Sequence, residues 1–299
     1  DPSNLIEGQI WYNTLSKQIK VAPLIESWAS GGNLNTGRHN LAGTGTQTAG
    51  LAFGGTPPVT GKTEEYDGSS WTESGDLNTA RDALHGFGSQ TAAVGAGGYK
   101  SPSPGFKGEV EEYDGSTWSE VTNLPATRAQ HAAAGTLTAG IVFRGHDLND
   151  ANIENTQEYD GTNWTAGGVM NVHTRYSSGA GTQTTAIAIG GEDDTDSTEE
   201  YDGSSWTNGG NLNTGRHSAA ASGTSTAALY MGGNPNRTTT EGYDGSAWAA
   251  KPALASGQED TCGSTTGTTV AAFIAGGSPG LNNVEEFTGA VTARTWDTT

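Results

Sequence analysis

Short apolar runs, each closed by a pair of glycines, punctuate this chain: GLAFGG (50–55), AVGAGG (93–98), AIAIGG (186–191), ALYMGG (228–233) and AFIAGG (272–277). A further copy, IVFRG (141–145), carries Arg144 where the others have the first glycine. Runs this short, bounded by turn residues, read as buried β-strands rather than helices. After five of them come EEYDGSSW (64–71), EEYDGSTW (111–118), QEYDGTNW (157–164), EEYDGSSW (199–206) and EGYDGSAW (241–248). Asp-Gly supplies two turn positions that accept positive φ, so each such unit predicts a two-stranded hairpin. Ahead of each apolar run lies a segment of small residues, such as RHNLAGTGT (38–46) or RHSAAASGT (216–224), which predicts one more strand.

The tryptophans set the period. Trp28, Trp71, Trp118, Trp164, Trp206, Trp248 and Trp296 are separated by 43, 47, 46, 42, 42 and 48 residues. Four short strands every forty to fifty residues, in the order small-residue strand a, apolar strand b, tyrosine strand c and tryptophan strand d, describe one blade of a β-propeller. Six a–b units predict six blades, all-β, each of four antiparallel strands. Small residues suit the crowded inner strands, and an aromatic burying about 150–250 Å² suits the gaps between splayed outer ones.

A glycine pair, then Tyr-Asp, then Trp, then Arg before the next inner strand resembles the kelch motif, over roughly residues 24 to 297. The last unit departs from it, with Phe287 in place of Tyr and a longer gap to Trp296. Seven tryptophan units for six blades leave one to spare, so either ESWASG (26–31) or VTARTW (291–296) completes blade 6. We expect the N-terminal segment to do so. Upstream, GQIWYNTLSKQIKV (8–21) reads as a β-hairpin, which divides the chain into a tether (1–23) and a propeller (24–299). The run from GQIWYN into SWASGGNLNTGR and GTQTAGLAFGG also resembles propeller segments of tail or appendage proteins from marine bacteriophages. That resemblance implies a virion or extracellular location, a structural or receptor-binding role, and a hairpin that contacts other appendage subunits.

Composition narrows the partners. Fourteen Lys and Arg against 33 Asp and Glu leave a net charge of −19, which repels phosphate backbones and anionic lipid, so no nucleic-acid partner is expected. No apolar run approaches the roughly 18 residues of a membrane-spanning helix, so no membrane insertion is expected either. The chain opens at Asp1 without an initiator Met or signal peptide, as a processed product or a fragment would. The single cysteine, Cys262, predicts a small buried residue.

On a propeller the d–a and b–c loops share one face, and the a–b and c–d turns share the other. The turns repeat almost unchanged, whereas the b–c loops differ in every blade, and variable loops on a rigid frame are where recognition is placed. Tyr99, Lys100, Phe106 and Lys107 combine ring faces and donors as sugar stacking needs. With His146, Asp147, Asp150, Asn234 and Arg237 of other loops they form the candidate site for a host-surface glycan or protein. Asp193, Asp194 and Asp196 are oxygen ligands of the kind Ca²⁺ takes, although the spacing is not an EF-hand and solvated loops are preferred; no other cofactor is expected.

Arg38, Arg81, Arg128 and Arg216 stand 17 residues before the second glycine of their blades. Arg175 follows with a one-residue deletion, and Asp260 holds the position in blade 6. Five arginines at the channel mouth would grip acidic sugars, but their regularity favours a structural role. His39, His85, His131, His173 and His217 also track the repeat, and no catalytic triad, phosphate-binding glycine motif or HExxH is present. The expectation is a non-enzymatic recognition module; an architectural subunit and a carbohydrate-active enzyme are the rival readings.

Overall fold

A computed structural model describes residues 10–15, 18–21, 25–100 and 105–289. The N-terminal hairpin pairs β1 (Ile10–Asn13) with β2 (Gln18–Val21). After β3 (Ser27–Ser30), blade 1 comprises β4 (Ala42–Thr46), β5 (Ala49–Phe53), β6 (Thr63–Tyr66) and β7 (Trp71–Glu73). Blade 2 is β8 (His85–Ser89), β9 (Ala92–Ala96), β10 (Val110–Tyr113) and β11 (Trp118–Glu120). Blade 3 is β12 (Ala132–Thr136), β13 (Ala139–Phe143), β14 (Asn155–Tyr159) and β15 (Trp164–Val169). Blade 4 is β16 (Ser178–Thr182), β17 (Thr185–Ile189), β18 (Thr198–Tyr201) and β19 (Trp206–Asn208). Blade 5 is β20 (Ala220–Thr224), β21 (Ala227–Met231), β22 (Thr240–Tyr243) and β23 (Trp248–Lys251). Blade 6 has β24 (Cys262–Gly263), β25 (Ala271–Ala275) and β26 (Val284–Thr288), and β3 pairs with β26 as its outer strand.

The six blade sheets are four-stranded and antiparallel, and their inner strands β4, β8, β12, β16, β20 and β24 touch in a closed ring. The N-terminal segment therefore latches the propeller, as expected, with Phe287 opposite Trp28. The competing segment 291–296 lies outside the described residues.

The repeated motif is consumed almost entirely by packing. Tyrosine and tryptophan of one hairpin pack ring against ring with centroids 4.7–5.0 Å apart, stacked for Tyr66 on Trp71 and tilted in the others. The tryptophan also meets the preceding blade's apolar strand, as Trp118 does Phe53 and Trp206 does Phe143. The Asp of each Asp-Gly caps its own turn: Asp67 Oδ1 accepts from Ser69 N and Ser70 N, both at 2.8 Å, and Gly68 takes φ +90°. The second glutamate accepts a hydrogen bond from the next blade's tyrosine: Tyr113 Oη donates to Glu65, Tyr159 to Glu112, Tyr201 to Glu158 and Tyr243 to Glu200. Tyr66 closes the circle onto Glu286. Between blades 5 and 6 both partners are missing together, since Gly242 replaces the glutamate and Phe287 the tyrosine.

The first glutamate of each pair lies under the arginine. Arg38 donates to Glu64 at 3.0 Å, Arg81 to Glu111 at 2.7 Å, and Arg216 to Glu241. In blade 3 the glutamate is replaced by Gln157, and Arg128 instead donates to Asn155 Oδ1 at 2.6 Å. Burial without a carboxylate lowers the Arg128 pKa to about 10. All four arginines are at most 1 % exposed, so none is open to a ligand at the channel mouth.

In blades 4 and 6 the arginine position is not where the sequence reading put it. Measured from the buried Leu34, Leu77, Leu124, Met170, Leu212 and Leu254, the arginine position in blade 4 is Thr174, with no deletion, and in blade 6 it is Gln258. Two extra residues in the a–b turn of blade 6 displace the glycine-based count onto Asp260. Gln258 Nε2 donates to Glu285 at 3.1 Å. In blade 4 the missing guanidinium comes from a different strand: Arg144, the residue that replaced a glycine, donates to Glu199 at 3.0 Å and to Gly190 O at 2.7 Å. It holds φ +60°, the left-handed conformation its glycine counterparts adopt. The two irregularities are one exchange, and they release Arg175 to the surface.

Candidate functional site

Two residues after each arginine position the chain turns sharply into strand a. All six corner residues have positive φ, from 51° to 58°: Asn40, Ala83, Gln130, Tyr176, Ser218 and Asp260. Each donates its backbone N–H to the carbonyl of the same residue in the preceding blade, at 2.8–3.0 Å, and Asn40 closes the ring onto Asp260. The residue just before the corner pairs with the first residue of a b–c loop, as Asp82 does with Tyr99 and Ala129 with His146. This lattice of backbone bonds fixes the loop roots around the axis, so the variable side chains sit on rigid points.

Three predicted residues converge. The Tyr99 and Phe106 rings meet edge to face with centroids 5.6 Å apart, and Phe106 meets the His146 ring the same way at 4.8 Å. Gly105 permits this, because a Cβ there would lie 2.2 Å from the Tyr99 ring. The three rings line a cavity of about 270 Å³ that also touches Asn40, Asp82, Ala83, Ala129 and Gln130. Burial raises the Asp82 pKa. Burial, aided by the neighbouring Arg175 cation, lowers that of His146 and favours the neutral imidazole. The result is an aromatic-walled groove with a carboxyl and two amides at its inner end, a set that stacks on a ring and hydrogen-bonds its substituents.

The other predicted residues are engaged elsewhere. Lys100 is exposed and Lys107 lies 3.7 Å from Glu109. Asp147 caps its own loop through Asn149 N and Ala151 N. Asp150 accepts from Arg175, which also holds Glu192 at 2.7 Å and touches His146 Nδ1 at 3.0 Å. Arg175 thus buttresses the groove from behind instead of joining an arginine ring. Asn234 donates to Glu259, and Arg237 Nε donates to Asn234 O. Asp194 faces His217 at 3.2 Å and Arg237 at 4.0 Å, while Asp193 and Asp196 are exposed. Among the described residues no three His, Cys, Asp or Glu side chains converge as a metal requires. Cys262 is buried, as expected, and burial pushes its thiol up to about 12.

Sequence reading missed the corner ring. Its trace is a position two residues after each arginine position that changes in every blade: Asn, Ala, Gln, Tyr, Ser and Asp. The signal emerges only after the arginine register is corrected in blades 4 and 6.

No protein-family model matches the chain. No curated protein matches it either. Among solved structures, one titled "Structure of YjhT" superposes with a TM-score of 0.69 at 13% identity, covering 89% of this chain and 99% of that one. At that identity the likeness shows a shared fold.

Proposed function

We propose that this chain is a non-enzymatic recognition module, extracellular or carried on a virion, that binds a host-surface glycan through the b–c face of the propeller. The observation that carries the reading is the groove of Tyr99, Phe106 and His146, closed at its inner end by Asp82, Gln130 and Asn40. Its volume suits a single sugar ring better than a protein epitope, and pockets for small ligands have this balance of apolar wall and few polar groups. The rest of the repeat is committed to packing, which leaves the variable loops as the part free to specialise. The hairpin β1–β2 forms a separate two-stranded sheet, a form marginal in water by itself, and we assign it to contacts with neighbouring subunits.

A glycan array probed with the purified chain, with released product assayed in the same wells, tests this. Saturable binding without turnover, lost in Phe106→Ala at unchanged melting temperature, is the expected result. Turnover would favour the enzymatic reading, and the absence of glycan binding together with self-association would favour the architectural one.

A further inference from the structure

The six corner residues sit in left-handed backbone, which disfavours side chains by about 1 kcal/mol or more each, yet none is glycine. The same chain uses glycine at 22 other positive-φ positions among its described residues. Side chains kept at such positions imply a use for them. They ring an axial well of about 40 Å³, room for one or two water-sized groups and too small for a sugar ring. Asn40, Ala83 and Gln130 line both this well and the aromatic groove. Ala83 is the smallest member of the ring and stands where the two meet, so the spaces adjoin.

The well has a mixed polar and apolar lining and carries little charge. Asp260 is the one acid among its lining residues, and no Lys or Arg is among them. His85 also lines it, and burial lowers its pKa to about 4, so it is neutral near pH 7. Three residues that line it, Gln130, Ser177 and Thr261, each carry a buried oxygen without a hydrogen-bond partner. Buried polar atoms are normally satisfied, so three without a partner on the residues of one small space leave hydrogen-bonding capacity in its wall.

We infer that the axial well is a second subsite of the groove: it takes a hydroxymethyl or ammonium substituent projecting from a sugar ring stacked on Tyr99 and Phe106, and it rejects carboxylate-bearing sugars. This rests on the glycan reading of the groove. Gln130 and Asn40 meet a hydroxyl, and Asp260 meets an ammonium. A carboxylate would face Asp260 with no cation to offset it.

The test is an array spanning neutral, amino and uronic- or sialic-acid-terminated glycans, read with wild type, Phe106→Ala, Gln130→Ala and Asp260→Asn. Asn tolerates left-handed backbone, so Asp260→Asn preserves the corner. Neutral or amino glycans should bind at least about tenfold more tightly than acidic ones, the effect of roughly one charge-assisted hydrogen bond. Asp260→Asn should lower amino-glycan affinity about tenfold with neutral glycans unmoved, and Gln130→Ala should weaken both several-fold. Equal or preferred binding of acidic glycans overturns the inference. So does binding that Phe106→Ala abolishes but Gln130→Ala and Asp260→Asn leave intact, in which case the groove stands and the well does not. No binding by any glycan overturns both.

Discussion

Replacing Arg144 with glycine gives blade 3 the glycine pair of its sister blades, and it is nonetheless expected to destabilise the propeller. The substitution relieves left-handed strain of about 1 kcal/mol. Against that, it strands Glu199, which is fully buried and has Arg144 as its cation at 3.0 Å. Removing one partner of a buried ion pair costs about 3–5 kcal/mol. Asn171 N at 2.7 Å and Asn171 Nδ2 at 2.9 Å still donate to the carboxylate, which places the loss toward the lower end. The net is about 2–4 kcal/mol, or about 3–7 °C in melting temperature for a domain of this size. The decisive variant is the double one. Thr174→Arg alone sets a second guanidinium against Glu199 and should also destabilise. With Arg144→Gly it restores the arrangement of blades 1, 2 and 5 and should recover most of the loss. Thermal melts of the four proteins give the coupling energy. Additive losses, or an Arg144→Gly melt within about 1 °C of wild type, would refute the exchange of positions between Arg144 and Thr174.

Other consequences are open to measurement. Phe287→Tyr alone should gain nothing, whereas Phe287→Tyr with Gly242→Glu should add the missing tyrosine–glutamate bond and about 1 kcal/mol; equal melts for the two would contradict this. His85, whose pKa burial lowers to about 4, should show an NMR ring titration near that value, and a midpoint near 6.5 would contradict its placement. Because the folded value lies below the unfolded one, the neutral ring contributes fully above about pH 6.5, and stability falls as pH drops toward 4. Deleting residues 1–23 should leave the melting temperature in place, while deleting 1–31 removes β3 and should lower it sharply. Equal melts would show that another segment completes blade 6.

How far the sequence reveals this molecule depends on how often a residue's role repeats. The blade order, the Asp-Gly turns and the aromatic layers recur five or six times, so a local pattern exposes them. The same counting leaves two candidates for the latch, and the pairing of β26 with β3 decides for the N-terminal one. Counting from the glycine pair returns Thr174 in blade 4, 17 residues before Gly191, and only the search for an arginine there points to Arg175; the count fails at Gln258, because one turn is two residues longer. Spacing records contour length, whereas Glu199 requires only that a guanidinium arrive. Tyr99, Phe106 and His146 were legible as single residues in variable loops, but their convergence was not. It depends on the backbone bonds that tie Asp82 to Tyr99 and Ala129 to His146. The corner ring leaves the faintest trace, since its defining property is a φ angle shared by six unlike side chains.

The most direct test of the proposed function is a crystal structure of the full chain with a glycan that it binds on an array. A sugar ring against Phe106 and Tyr99, with a substituent directed between Gln130 and Asp260, is the result expected. Density for the sugar on the opposite face, among the a–b and c–d turns, would contradict it.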